Sequence, residues 1–242
     1  MKRIHIGCCG FPKARSVYFR AFRAVEVQQT FYDPPRPETL RRWREEAGPD
    51  FVFTLKAWQV VTHPASSPTY RRLRRPLRPE ERAKAGGFQD TPVVWRAWEA
   101  TLEAARALGA TVILLQCPAS FTPTPEHVRN LEAFLERARP APFRIAWEPR
   151  GDWPAEEVRR ICARHGLIHA VDPFAQPPVT EGTAYFRLHG RTGYAYRYTD
   201  ADLEALEGWC QPFEEIYVFF NNVSMWEDAL RFQERMRGKA LK

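Results

Sequence analysis

Hydrophobic and polar residues alternate along the chain in two rhythms. Eight short stretches are rich in β-branched or aromatic residues and are bounded by Gly, Pro or polar residues, as strands are. They are RIHIG (3–7), AVEVQ (24–28), FVFTLK (51–56), TVILLQ (111–116), RIAWE (144–148), LIHAVD (167–172), AYFRLH (184–189) and IYVFF (216–220). Between them, apolar residues recur at helical spacing in PETLRRWREEAG (37–48), VVWRAWEATLEAARALG (93–109), TPEHVRNLEAFLERAR (124–139), WPAEEVRRICARHG (153–166), TDADLEALEG (199–208) and WEDALRFQERM (226–236). Several of these open on Pro and close on Gly, the expected start and stop signals of helices. Eight strands alternating with helices over 242 residues predict one α/β domain spanning 1–242, a (β/α)8 TIM-type barrel, irregular in places. The main rival is a doubly wound open sheet. Residues 64–90, Pro-rich and strongly basic, break the rhythm after the third strand. A loop there emerges on the barrel face that carries active sites. It reads equally as a solvated excursion or as a basic lid.

Period-two parity sharpens the picture, because alternate residues of a barrel strand face the barrel axis and the others face the helices. Ala184, Phe186 and Leu188 then face helices, and Tyr185, Arg187 and His189 face inward. The same rule sends Glu26, Gln28, Thr54, Lys56, Gln116, Glu148, Arg150, Asp172 and Asn221 inward, against outward Val25, Val27, Phe53, Leu55, Ile113, Leu115, Ile145 and Trp147. Seven strands thus end in an inward polar residue. A lone buried charge is costly, so these residues predict a polar pocket at the C-terminal mouth of the barrel. Glu26, Glu148 and Asp172 oppose Lys56, Arg150 and Arg187. A structural ion-pair network is therefore the competing reading, strongest for Glu26 and Arg187, which lie one step deeper than Gln28 and His189.

Composition narrows the class without naming a reaction. The chain is 44% hydrophobic and 27% charged, ordinary for a globular protein. No apolar run reaches 18 residues, so no transmembrane helix is expected. The first ten residues lack a secretory h-region, and a cytoplasmic protein is expected. The five cysteines form no C-x-x-C pair, which argues for reduced, buried thiols and against a zinc ribbon. Cys8, Cys9 and Cys162 read as packing residues. The net charge of +7 favours anionic partners. GCCGF after the first strand is not a G-x-G-x-x-G loop and there is no P-loop, so no nucleotide-cofactor motif is present.

The stretches VEVQQTFYDPP, FVFTLKAWQVVTH, ILLQCPASF, WEPRGDW, YFRLHGRTGYAYRYTDADL and VFFNN, in this order from about residue 4 to residue 232, resemble the YecE-like family, known as domain of unknown function 72. The resemblance implies a TIM-type barrel and no particular reaction. Three positions depart from the family pattern: Gln28 stands where Asn is usual, Gly151 follows Arg150 where His is usual, and Phe11 follows Gly10 where Trp is usual. If that His is catalytic in relatives, this chain would have to use His63, His189 or nothing in its place.

Three functions fit. The first is an enzyme (hydrolase, lyase or isomerase) acting on an anionic or phosphorylated small molecule. Glu148 and His189 would be its acid and base and Lys56 a clamp or Schiff-base nucleophile. Arg150, Arg187 and Arg191 would hold the anion, and Gln28, Gln116, Asn221, Tyr32 and His63 would line the site. The second adds a divalent metal on Glu26, Glu148, Asp172 and His189; three nearby cations oppose it. The third is a nucleic-acid binder or nuclease using the basic 71–84 stretch with Trp58 and Tyr70. Trp147 and Trp153 read as packing residues.

Overall fold

The eight predicted stretches are strands, offset by at most one residue at their ends. The computed structural model of the chain describes residues 2–138 and 142–240. In chain order its elements are β1 (Arg3–Cys8), α1 (Arg15–Ala21), β2 (Ala24–Val27), α2 (Gln29–Tyr32), α3 (Pro37–Ala47), β3 (Val52–Lys56), α4 (Gln59–Thr62), a 3-10 turn (Pro68–Arg72), α5 (Pro79–Arg82), α6 (Pro92–Leu108), β4 (Val112–Gln116), α7 (Pro125–Arg137), β5 (Arg144–Glu148), α8 (Ala155–His165), β6 (Ile168–Val171), β7 (Thr183–Leu188), α9 (Asp200–Cys210), β8 (Glu215–Phe220) and α10 (Met225–Ala240). The helix expected to reach residue 139 runs through Arg137, and Arg139 itself lies outside the described residues. All strand pairs are parallel, in the spatial order β1-β8-β7-β6-β5-β4-β3-β2. This is the (β/α)8 barrel, not the open sheet.

Parity separates the core into two clusters. Val25, Phe53, Ile113, Trp147, Phe186 and Val218 belong to the large cluster under the helices. Ala24, Val112, Leu114, Ala146, Tyr185 and Phe219 belong to the cluster inside the barrel. Side chains fill the barrel's lower part, so the polar inward residues collect toward the strand C-termini.

The barrel closes at β1 and β2 through a single bridge, Cys9 to Glu26, and a hydrogen bond from the Gly10 N–H to the Glu26 carbonyl (2.8 Å). Below it, Tyr18 of α1 replaces the missing ladder. Its hydroxyl accepts from the Cys8 N–H (2.8 Å) and donates to the Ala24 carbonyl (2.9 Å). A Cβ on Gly7 would lie 2.1 Å from the Ala24 carbonyl oxygen, so only glycine lets the strands approach there.

Two connections depart from the sequence reading. Helix α1 was not expected, because RSVYFRA is short and has no side-chain N-cap; burial of Tyr18 and Phe19 holds it instead. No helix links β6 to β7. Pro173, Pro177 and Pro178 in that link cannot donate to a helical ladder.

The 64–90 segment is a packed cover, not a solvated excursion. Tyr70, Leu73, Ala85 and Phe88 are buried in the main core. Backbone bonds from Gly86 to Val60, Gly87 to Thr62 and Phe88 to Val61 staple it over α4. Its arginines and Lys84 remain exposed. Among the described residues no helix is long and apolar enough to cross a membrane, and the five cysteines are free and buried.

Candidate active site

Arg187 is the hub of the barrel mouth and is fully buried. Its Nε and Nη2 donate to the two oxygens of Glu26 (2.9 and 2.8 Å), a bidentate pair. Its Nη1 donates to Glu148 Oε2 (2.6 Å). Glu26 is also held from below by the Tyr185 hydroxyl (2.8 Å), which in turn accepts from Thr54 (2.8 Å), and by the Gln28 side-chain amide. Burial pushes the Glu26 carboxyl up, but Arg187, Lys56 and the Tyr185 hydroxyl together hold it below its ordinary value. Arg187 is thus committed to two carboxylates. The structural reading of the Glu26–Arg187 pair describes this geometry better than anion binding by Arg187.

Glu148, at the end of β5, is buried but asymmetric. Its Oε2 is fixed by Arg187. Among the described residues its Oε1 has only loose neighbours, His189 Nε2 at 3.8 Å and Arg150 Nε at 3.9 Å, both beyond hydrogen-bonding distance. Burial raises the carboxyl, yet Arg187, His189, Arg150 and Lys56 outweigh it and keep Glu148 ionised below the usual range. His189 stands between two carboxylates, with Nδ1 3.8 Å from Asp172. Its Nε2 lies 3.2 Å from Arg187 Nη1. Asp172 accepts from the backbone N–H groups of His189 (2.9 Å) and Phe174 (3.1 Å), fixing the turn.

Lys56, at the end of β3, is 5% exposed. Its ammonium donates to Gln116 and lies 3.8 Å from the centre of the Phe31 ring. Among the described residues no carboxylate pairs with it. Burial, with Arg187 close by, pulls the amine down to about 7, against the opposing fields of Glu26 and Glu148. Thr30 of α2 fixes the strand end by donating to the Lys56 carbonyl (2.7 Å). His63 packs edge-on against the same Phe31 ring (4.9 Å). Burial, with Lys56 and Arg150 adding repulsion, lowers it to about 3, so it is neutral.

The structure therefore brings Lys56, Gln116, Glu148, Arg150, His189 and Asp172 to one mouth, over Glu26 and Arg187, with Gln28 on Glu26. His63 sits behind Phe31. Tyr32 faces the basic segment instead, with the Arg72 guanidinium 3.7 Å over its ring. Arg191 is committed to Asp202 (2.7 Å), where Thr199 caps α9. Asn221 joins the strand ladder through its backbone N–H to Leu188 (2.8 Å), and its neighbour Asn222 donates to Tyr196 and Asp228. Tyr70 is buried with its hydroxyl on the His63 carbonyl (2.8 Å), so it offers no stacking surface for a base. The carboxylate–histidine set Glu26, Glu148, Asp172 and His189 does not fit a divalent cation. Arg187 lies between Glu26 and Glu148, and among the described residues no three His, Cys, Asp or Glu are grouped to hold one.

Sequence reasoning missed Phe31. Parity ends with β2, and the residue lies one turn beyond it in α2; only its place beside Tyr32 in the QQTFYDPP stretch marked it. Gly151 gains a reason. A Cβ there would lie 2.6 Å from the Phe121 carbonyl oxygen, so the loop has closed over the space that a larger residue would need.

The family model described as protein of unknown function DUF72 matches residues 12–242. The chain belongs to the DUF72 family. The curated relative UPF0759 protein YecE of Escherichia coli (strain K12) is 41% identical over 49 residues, 20% of this chain and 18% of that protein. The crystal structure of a DUF72 family protein (EF0366) from Enterococcus faecalis V583 superposes with a TM-score of 0.76 at 21% identity, covering 98% of each chain. A xylose isomerase domain containing protein (stm4435) from Salmonella typhimurium LT2 gives 0.63 at 14% identity, over 100% of this chain and 98% of that one. These likenesses show a DUF72 barrel that shares its fold with sugar-isomerase-type barrels.

Proposed function

We propose that this DUF72 protein is an enzyme that binds a small anionic molecule at the barrel mouth and moves a proton next to its carbonyl group. The observation that carries this reading is Lys56, a buried amine with no carboxylate partner among the described residues, on the same mouth as an ionised, half-free Glu148. A packed core has no use for an uncompensated ammonium. An incoming carboxylate or phosphate supplies the missing charge, with Arg150 as the second, half-exposed cation.

The chemistry follows from which atoms are free. Glu148 Oε1 is the base: it takes a proton from the carbon beside the carbonyl. The electron pair moves onto the carbonyl oxygen, which faces Lys56 and Arg150. Glu148, having exchanged that proton with water, returns one to the same carbon as the electron pair moves back from oxygen, and return to the hydroxyl-bearing neighbour, with the hydroxyl proton passing to the former carbonyl oxygen, gives the isomer. Arg187 is a positioning residue, because it fixes Oε2 and leaves Oε1 to react. The xylose isomerase-type likeness supports the barrel alone.

The test is hydrogen exchange. Phosphorylated and carboxylated hydroxy-carbonyl compounds are incubated with the protein in D2O and followed by proton NMR. Wild-type protein is expected to wash out the proton beside the carbonyl of at least one compound. Glu148→Gln and Lys56→Met are expected to lose at least about 100-fold of that rate. Tight binding without exchange would overturn the proton-transfer reading, and absence of binding across the panel would overturn the anion site itself.

A further inference from the structure

A second cationic groove lies outside the mouth. It runs between the loop after β2 and the basic segment after β3, holds about 460 Å³, and is lined by Asp33, Arg36, Trp58, Arg74 and Arg75. Three guanidiniums face one carboxylate. Arg74 pairs with Asp33 (3.2 Å), and among the described residues neither Arg36 nor Arg75 has a carboxylate partner. Trp58 forms part of the groove wall, and its indole N–H is buried without an acceptor, so it reports a ligand in the groove without donating to it. The fold fixes these groups independently. Arg36 immediately precedes α3, and Trp58 is held by its backbone N–H on Thr101 (3.1 Å). Arg75 rides on the packed segment anchored by Tyr70 and Leu73.

We propose that this groove is a binding site for a phosphate monoester or diphosphate, gripped by the guanidiniums of Arg36 and Arg75. Guanidinium forks match tetrahedral oxyanions bidentately. The site is separate from the mouth and stands whether or not the proton chemistry there holds. Trp58 lies two residues beyond Lys56, so a ligand in the groove is positioned to bias the end of β3.

The experiment follows the indole N–H directly. Protein labelled with 15N on tryptophan is titrated with inorganic pyrophosphate, glucose 6-phosphate and glucose at about 0.15 M salt, where exposed charges are well screened. The Trp58 resonance is assigned by its loss in Trp58→Phe. Saturable movement with pyrophosphate and glucose 6-phosphate, and none with glucose, is expected. Arg36→Gln combined with Arg75→Gln is expected to weaken binding at least about tenfold, since it removes two charge-assisted contacts. Arg129→Gln, which removes an exposed charge that does not line the groove, is expected to keep wild-type pyrophosphate affinity, which separates this groove from surface charge at large. A Trp58 resonance unmoved by either phosphate, or an unchanged affinity in the double variant, overturns the proposal. So does movement produced by an oligonucleotide alone.

Discussion

Replacing Arg187 with methionine removes one cation from two buried carboxylates. Glu26 is fully buried and Glu148 nearly so, and each receives guanidinium hydrogen bonds of 2.6–2.9 Å. Breaking a buried pair by deleting one partner costs about 3–5 kcal/mol, because the remaining charge is left unpaired. For a chain of this size, 1 kcal/mol moves the thermal midpoint by about 2–4 °C, so a fall of roughly 6–20 °C is expected. Glu26→Gln in the same background should recover about 2 kcal/mol, since it removes one of the stranded charges. Urea unfolding followed by tryptophan fluorescence reads both numbers. The pH dependence adds a sign. In the wild type Arg187 holds both carboxyls below their ordinary values. Their stabilisation is therefore complete above the unfolded-state pKa and is lost as pH falls through the lower folded-state values. Without Arg187, burial dominates and raises both carboxyls, so the variant should gain stability as pH falls toward the unfolded value, while the wild type does not. A variant within about 1 kcal/mol of wild type, with an unchanged pH profile and additive behaviour with Glu26→Gln, would refute the hub.

Lys56→Met is expected to abolish exchange activity while raising the thermal midpoint near neutral pH, because an uncompensated buried amine is a liability to the fold. Since burial lowers this amine to about 7, its cost to wild-type stability is full below pH 7 and fades between pH 7 and the unfolded value. The methionine variant should therefore lose that alkaline gain in stability. A lowered midpoint in Lys56→Met would count against the reading. Tyr18→Phe strands the Cys8 N–H and the Ala24 carbonyl at the barrel seam, with an expected loss of about 2–4 kcal/mol in urea unfolding; a loss below about 0.5 kcal/mol would show the seam held by packing alone. Gly151→His is expected to destabilise, not to create a catalytic group, because its Cβ meets backbone oxygens of Phe121 and Ala119. Wild-type stability in that variant, measured by thermal melting, would refute the closed loop.

The barrel was legible because strand parity is a strong signal wherever both faces are buried. Val25, Phe53, Ile113 and Phe186 on one side, and Glu26, Lys56, Glu148 and Arg187 on the other, separated as period two requires. What parity could not supply was depth and partnership. It placed Arg187 and Arg150 inward alike, yet one is fully buried between Glu26 and Glu148 and the other is half exposed beside Glu148. It also stops at the strand ends. Arg191, two residues beyond His189, turned to the N-terminus of α9 and Asp202, and Phe31 came under Lys56 from a helix of four residues. Loop geometry decides such positions, and loops carry no periodic signal.

The two readings of the mouth, ion-pair network and active site, divide it by depth. Glu26, Tyr185 and Thr54 satisfy one another and Arg187 from below. That lower layer leaves Arg187 with one N–H for Glu148 Oε2, and so leaves Glu148 with Oε1 unbonded. Had Arg187 reached Glu148 bidentately, both oxygens would be engaged and the carboxylate would be as inert as Glu26. The same geometry gives Lys56 no hydrogen bond to either carboxylate, and among the described residues its amine contacts Gln116 and the Phe31 ring. On the proposed function, the buried network is the support that holds one carboxylate oxygen and one amine at the rim for reaction. The Glu26→Gln variant tests this dependence. Rotation of Arg187 toward Glu148 should then lower exchange activity even though Glu26 touches no substrate, and full activity in a folded Glu26→Gln protein would break the link between the two layers.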